Sequence, residues 1–313
     1  MSQIVSFTLP IFLLIALGFA AVRAGALDAA FIKGLGGFVL NFAMPALIVH
    51  ALLAQDLRQS FNGSFLLVYA LASLIVFILA FAACRFVFGA GTSRSAVAAL
   101  GSSSSNSGFI GFPVASLATG KAALVALPMS LLVENVLIIP LSLALAEFGS
   151  SQGGRPADVL GQTVRRLARM PVVIAIVAGA LMSGLGLQLP GPVSTAVGMI
   201  ANAAIAPALI VVGGTLALER SLKIEGAIVP ILVGKLVLHP LLVAGGFMLV
   251  GNVPHDLAVA GIVMASAPML TVYPILGQRF GEGPLCATAL VVVTATGFFT
   301  MTLMLTAVGT PAP

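Results

Sequence analysis

Seven stretches of this chain carry no Asp, Glu, Lys or Arg over lengths close to or above a bilayer crossing: residues 4–22, 34–55, 59–84, 95–120, 170–218, 257–278 and 283–313. A spanning helix needs about 20 apolar residues at 1.5 Å rise each. Charged residues make up 7% of the chain, against about 25% in a soluble domain, too few to cover a water-facing surface. A nucleic-acid-binding domain, a secreted disulfide scaffold and a cytosolic enzyme are excluded. The fold class is all-α integral membrane.

Splitting the longer stretches at Gly, Pro and polar punctuation gives ten transmembrane helices, numbered here as spans 1–10: 4–23, 31–53, 62–88, 95–119, 122–147, 171–189, 193–218, 226–251, 256–279 and 284–308. The segment SGLGLQLPGP at 183–192 separates spans 6 and 7. No cleavable signal is evident, since no basic residue precedes the first apolar run. Cys84 and Cys286 lie in or beside spans, outside any CxxC pattern, and read as small buried hydrophobes. His50, His239 and His255 are too scattered for a metal site. Neither a metal nor another cofactor is expected.

The chain repeats itself. A shift of 161 residues brings Pro10 onto Pro171, Gly18 onto Gly179, Gly25 onto Gly186 and Gly37 onto Gly198. It also brings Asn41 onto Asn202, Pro113 onto Pro274 and Gly120 onto Gly281; with a one-residue slip, PALIV at 45–49 meets PALIV at 207–211. Each half holds five spans. Five is odd, so the second half enters from the opposite side, which makes two inverted five-helix repeats, a plan common among secondary transporters. Basic residues give the same topology. Arg23, Lys33, Arg85, Arg94, Arg155, Arg165, Arg166, Arg169, Arg220, Lys223 and Arg279 fall in one set of loops, and Arg58 and Lys121 on the other side. The rich side is cytoplasmic, so both termini lie on the non-cytoplasmic side. The expected division is 1–148 for the first repeat, 149–170 for a cytoplasmic linker and 171–313 for the second.

Spans 4 and 9 are broken. Span 4 contains GSSSSNSGFIGFP at 101–113 and span 9 contains SAPMLTVYP at 266–274. Glycine weakens a helix, and proline removes a backbone donor and clashes with the preceding turn. Unpaired backbone at that depth is tolerated only against protein or a water-filled cavity, and matched breaks point to a transporter's binding site. The half-helix N-termini suit an anion such as a carboxylate. Within the breaks the candidates for substrate contact are Asn106, whose amide donates and accepts, then Ser105, Ser107 and Gly108, and the prolines Pro113, Pro268 and Pro274. A serine in a helix often only bonds back to the preceding turn, and small residues also serve close packing.

Glu134 in span 5 and Lys235 and His239 on one face of span 8 are costly at membrane depth. Their mates under the 161-residue shift are Ala295, Leu74 and Ile78, all apolar, so the charges break the symmetry of the frame. They read as coupling or substrate groups, or as a structural pair of Glu134 with Lys235. Asn41 and Asn202 stand about one turn before Pro45 and Pro207, and read either as wall residues of a central cavity or as backbone partners there.

GGFVLNFAMPALIVHALL in span 2, SSNSGFIGFP in span 4, KLVLHP at 235–240 and the proline-broken span 9 together resemble the auxin efflux carrier family. That family includes bacterial permeases labelled malonate transporters. The resemblance implies that spans 4 and 9 cross at the substrate site, with Asn106 and Pro113 in one crossover arm and Pro268 or Pro274 in the other. It implies a scaffold of spans 1, 2, 6 and 7 that forms a homodimer, and a transport bundle of spans 3–5 and 8–10 that moves elevator-like. The partner implied is a small organic anion, malonate-like, carried across the inner membrane; no nucleic acid is expected. Span 9 holds no carboxylate between 257 and 278, which disfavours a sodium site there and favours a proton-coupled or uncoupled carrier. The alternatives are a sodium-coupled organic anion symporter using Ser104, Asn106 and Glu134, and a channel.

Overall fold

The fold comes from a computed structural model that describes residues 2–54, 61–150, 165, 168–219 and 225–309, with side chains from Thr8 onward. Arg58, Arg155, Arg166, Arg220, Lys223 and residues 151–164 and 166–167 of the expected linker lie outside the described residues.

Among the described residues all regular structure is helical. The helices are α1 (Ser2–Arg23), α2 (Ala29–Leu53), α3 (Gly63–Val87), α4 (Thr92–Ser103), α5 (107–119) and α6 (Lys121–Gly149). They continue with α7 (Pro171–Gly184), α8 (Gly191–Leu218), α9 (Ile228–Val250), α10 (His255–Ser266), α11 (Tyr273–Gln278) and α12 (Gly283–Val308). Six of them, α2, α3, α6, α8, α9 and α12, are long and apolar enough to cross a membrane; α7, α10 and the 8–23 part of α1 are apolar but shorter. Large apolar side chains such as Leu13, Leu71, Leu181 and Leu303 stand on the outside of these helices, the arrangement a lipid solvent requires. This is an integral membrane protein.

Local chemistry sets the ends. Asp28 and Asn62 cap α2 and α3, each accepting from a backbone N–H three residues on, at 2.7 and 2.8 Å. The helix expected over 171–189 stops at Gly184, because Gly186 takes a left-handed φ of 68° and the Leu187 N–H turns back to the Met182 carbonyl at 2.8 Å. Helix α8 is interrupted at Ala203–Ala204, one turn before Pro207, which cannot supply the N–H that the carbonyl of residue 203 would receive.

Prolines also leave a second mark. The wide turns Val39–Ala43, Ser107–Gly111, Val133–Ile138 and Gly234–Leu238 each end just ahead of a proline: Pro45, Pro113, Pro140 and Pro240. In each, the residue before the proline donates five residues back: Met44 to Val39, Phe112 to Ser107, Ile139 to Glu134 and His239 to Gly234. Widening the helix by one residue relieves the clash of the proline ring. Asn41, Ser107, Gly108, Glu134 and Lys235 all lie in these wide turns.

Packing pairs the helices reciprocally. Helix α1 lies against α8, and α7, which the 161-residue shift makes the mate of α1, lies against α2, the mate of α8. Helix α3 packs on α9, and α10 packs on α5, α6, α9 and α12. At one end of the molecule Arg94, in the first turn of α4, pairs with Glu225 ahead of α9 and with Glu282 ahead of α12, the latter at 3.4 Å. Gly149, the last residue of α6, abuts Thr92 and Ser93 at the same end. Burial pushes the Glu282 carboxyl above its ordinary range, with Arg94 opposing the shift. Arg94→Ala leaves the two carboxylates facing one another without their cation. It is expected to cost about 1 kcal/mol or less, the scale of a partly exposed network, read as a small drop in thermal stability in detergent.

Candidate functional site

The two broken spans touch where they are broken. Helix α4 ends at Ser103 and α5 begins at Ser107; between them Ser104 runs extended, and the Asn106 N–H donates to the Pro268 carbonyl at 2.6 Å. Pro268 lies in the gap between α10 and α11 and is the counterpart of Asn106 at a shift of 162. A proline has no N–H, so the reciprocal bond cannot form. The Asn106 carbonyl instead takes the Ile110 and Gly111 N–H groups, at 3.0 and 2.9 Å.

The Asn106 side chain joins both arms. Its Oδ1 accepts from the Phe109 N–H at 3.2 Å, capping α5, and its Nδ2 donates to Thr271 Oγ1 at 2.7 Å. One Nδ2 hydrogen remains for a ligand. Below it opens a cavity of about 480 Å³ whose polar lining is Asn106, Asn135, Thr271, Glu147 and Arg279. Gly108 forms part of the wall, and a Cβ there would meet the Met44 methyl at 2.6 Å, so the glycine sets how closely α2 approaches the break. Apolar residues from α2, α5, α6, α7 and α11, among them Leu40, Phe109, Leu131, Val172 and Ile275, complete the lining. The deep wall is neutral; Glu147 and Arg279 lie at the ends of α6 and α11.

The serines of the first break divide into two groups that look alike in sequence. Ser102, Ser103 and Ser104 bond back to carbonyls four residues earlier, at 2.9, 2.8 and 2.6 Å. Ser105 and Ser107 turn outward to charged groups. Lys235 Nζ donates to Ser105 Oγ at 2.5 Å, and Ser107 Oγ donates to Glu134 Oε1 at 2.5 Å. Lys235 also donates to the Ala265 carbonyl and contacts His239 Nδ1, both at 3.0 Å; His239 Nε2 lies 2.9 Å from Ser73 Oγ. Tyr69 OH reaches Glu134 Oε1 at 3.3 Å, and its ring packs edge-on against His239. Glu134, Lys235 and His239 are fully buried, and no direct ion pair joins Glu134 to Lys235 among the described residues.

The expected site residues thus occupy four kinds of place. Asn106 and Gly108 line the cavity; Ser105, Ser107, Glu134, Lys235 and His239 form a buried network directly behind it. The prolines Pro113, Pro268 and Pro274 are buried in the arms, where they shape the breaks rather than line the cavity. Asn41 is exposed and donates to the Gly37 carbonyl of its own helix at 2.8 Å, and Asn202 is exposed at the α8 interruption; neither lines the cavity. Thr271, Asn135, Glu147 and Arg279 were not singled out by sequence. Thr271 lies between the two prolines of the second break, the same signal that marked Asn106, and Asn135 follows Glu134 in a wide turn ahead of Pro140.

The model of the membrane transport protein family matches residues 3–305. The chain is 27% identical over 294 residues to the "Putative malonate transporter" of Rhizobium meliloti (strain 1021), covering 94% of this chain and 92% of that protein. It is 26% identical over 296 residues to the "Uncharacterized transporter YfdV" of Escherichia coli (strain K12), covering 93% and 92%.

Proposed function

The chain belongs to the membrane transport protein family, the auxin efflux carrier-like group, and from that premise we propose that it is a secondary carrier of a small carboxylate, malonate-like. It is not an enzyme. The observation that carries this reading is the meeting of two broken helices through Asn106 and Pro268 above a cavity that Asn106 and Thr271 share. Binding at the meeting point of matched breaks lets one site face either side as the halves rock.

The reading extends to the whole chain. Ten transmembrane helices form two inverted repeats over 1–148 and 171–313, with α4–α5 and α10–α11 as the crossing spans 4 and 9. The reciprocal packing of α1 on α8 and α7 on α2 supports it. Those four helices are the scaffold and the dimer interface, and the others are the bundle that moves elevator-like in the inner membrane. In this reading the end bearing Arg94 and Arg279 faces the cytoplasm and both termini lie outside, which the distribution of basic loop residues supports. With that end cytoplasmic, the charged residues Glu147 and Arg279 at the ends of α6 and α11, which line the same cavity as Asn106, support reading this conformation as inward-facing.

Labelled malonate in proteoliposomes, with and without an imposed pH gradient, tests the reading. Saturable uptake, counterflow and a several-fold rise under the gradient are expected of a proton-coupled carrier. Uptake indifferent to the gradient removes proton coupling; flux that neither saturates nor shows counterflow removes the carrier in favour of a pore.

A further inference from the structure

The network behind the cavity has a readable charge state. Lys235 Nζ has three hydrogen-bond neighbours, Ser105 Oγ, the Ala265 carbonyl and His239 Nδ1, and an ammonium has three hydrogens. The carbonyl can only accept. With Lys235 as the donor to Nδ1, the imidazole proton sits on Nε2 and donates to Ser73 Oγ, which makes the ring neutral. As an ammonium, Lys235 has an acceptor for every hydrogen, and this is the charge state the proposal takes.

Glu134 is the reverse case. Its Oε1 receives two hydroxyls, from Ser107 and Tyr69, while its Oε2 is buried without a partner. An ionised carboxylate with one bare oxygen is costly in a dry site, and a proton on Oε2 removes that charge. The two charged residues grip opposite sides of one short segment: Lys235 holds Ser105, Glu134 holds Ser107, and between them stands Asn106, whose side chain faces the cavity.

We propose that Glu134 binds the coupling proton and that its protonation unmasks the charge of Lys235 behind the cavity, drawing the anion onto Asn106. The proposal rests on the carboxylate-carrier reading for what the proton is coupled to. With Glu134 ionised, the network is neutral and the deep wall of the cavity offers an anion no net attraction. One proton added at Oε2 converts –COO⁻ to –COOH and leaves the network at +1. No other bond forms or breaks. Linkage is reciprocal, so an anion in the cavity tightens the proton by the same factor, on the order of tenfold to a hundredfold. Proton and anion then cross together on the same moving bundle.

The groups facing Glu134 are few. Tyr69 faces it from α3, and Lys235 and His239 lie across the Ser105–Ser107 segment on α9. Helices α5 and α7 hold no titratable residue. The charged residues and histidines of α2, α4 and α10 (Lys33, His50, Arg94, His255 and Asp256) sit at solvent-reached positions.

Infrared difference spectroscopy of the full chain in lipid nanodiscs reads the site without requiring transport. Wild type should show a protonated buried-carboxyl band that titrates with pH and is missing in Glu134→Gln, a substitution that keeps the Oε1 acceptor. Malonate should move its midpoint upward by about one to two pH units. In Lys235→Met the band should remain while the malonate shift disappears. In proteoliposomes the ratio of gradient-driven to counterflow uptake should fall to about one in Glu134→Gln. A titrating band absent from wild type, or persisting in Glu134→Gln, overturns the proposal, as does gradient-driven uptake by that variant at the wild-type ratio. Should wild type neither bind nor carry malonate, the carboxylate reading fails, and the infrared titration alone still decides Glu134.

Discussion

Asn106→Ala is expected to bring saturable uptake to the level of empty liposomes while the protein still folds. The two effects separate because the residue acts through different atoms. Its backbone N–H, which reaches Pro268, survives the substitution, so the two arms stay joined. What is lost is the cap on the Phe109 N–H and the bond to Thr271. A lost cap costs about 1 kcal/mol, and an unpaired buried group about 1–3 kcal/mol, which a fold with this many packed helices absorbs. The cavity fares worse, because the Nδ2 donor at its deep wall disappears and Thr271 is freed to rotate. Asn106→Asp tests this from the other side. Asp keeps an acceptor for Phe109 but replaces the donor with a negative oxygen facing an anionic substrate. It should match wild type on size-exclusion chromatography and show no transport. Wild-type uptake by the Ala variant would remove the crossing as the binding site.

How much of this was legible beforehand varies with the kind of information needed. The helical segments follow from charge-free length: among the described residues all regular structure is helical and six helices are long and apolar enough to cross a membrane, while the segments expected as spans 4, 7 and 9 are each in two pieces. The position of the breaks follows from backbone chemistry, since Gly, Ser and Pro act locally. The direction a side chain takes does not. Ser104 and Ser105 are adjacent and identical, yet one bonds its own helix and the other a lysine 130 residues away. That choice depends on α9 arriving alongside, which no local pattern encodes. Glu134 and Lys235 illustrate the same limit. Each was visible as a costly charge, and a direct pair between them was one reading, but the serines that stand between them come from a third element. Asn41 carried the same repeat signal as the breaks, and its amide turned out to serve the Gly37 carbonyl of its own helix. Four of the wide turns end just ahead of a proline, so a polar residue four to six positions before such a proline sits where the helix is least regular. Asn41, Ser107, Glu134 and Lys235 all meet that description.

Gly213→Ala should deplete the folded protein more severely than any change at the cavity. Helices α1 and α8 cross with backbone against backbone: a Cβ on Gly213 would stand 1.9 Å from the Ile15 carbonyl oxygen, and one on Gly18 would stand 2.3 Å from that of Ile210. In both cases the obstacle is main chain, which cannot rotate aside as a side chain would. Small residues permit this approach, and in lipid the resulting van der Waals contact is a principal force holding helices together, since lipid tails are as apolar as leucine. Adding a methyl must separate the helices along their crossing, undoing contacts well beyond the mutated site. Overpacking in a core costs about 1–3 kcal/mol where neighbours can yield, and more is expected here. Gly245 supplies the control. It lies within α9, and a Cβ there meets nothing within 4 Å, so Gly245→Ala should leave stability unchanged or raise it by up to about 1 kcal/mol through helix propensity. Thermal unfolding in detergent would rank the variants. Equal melting temperatures for Gly213→Ala and Gly245→Ala would remove the close α1–α8 crossing as a determinant of stability. If α1, α2, α7 and α8 form the static scaffold, the folded fraction of Gly213→Ala should also keep the wild-type KM. Such a result would place the damage in the frame rather than in the moving bundle that holds the site.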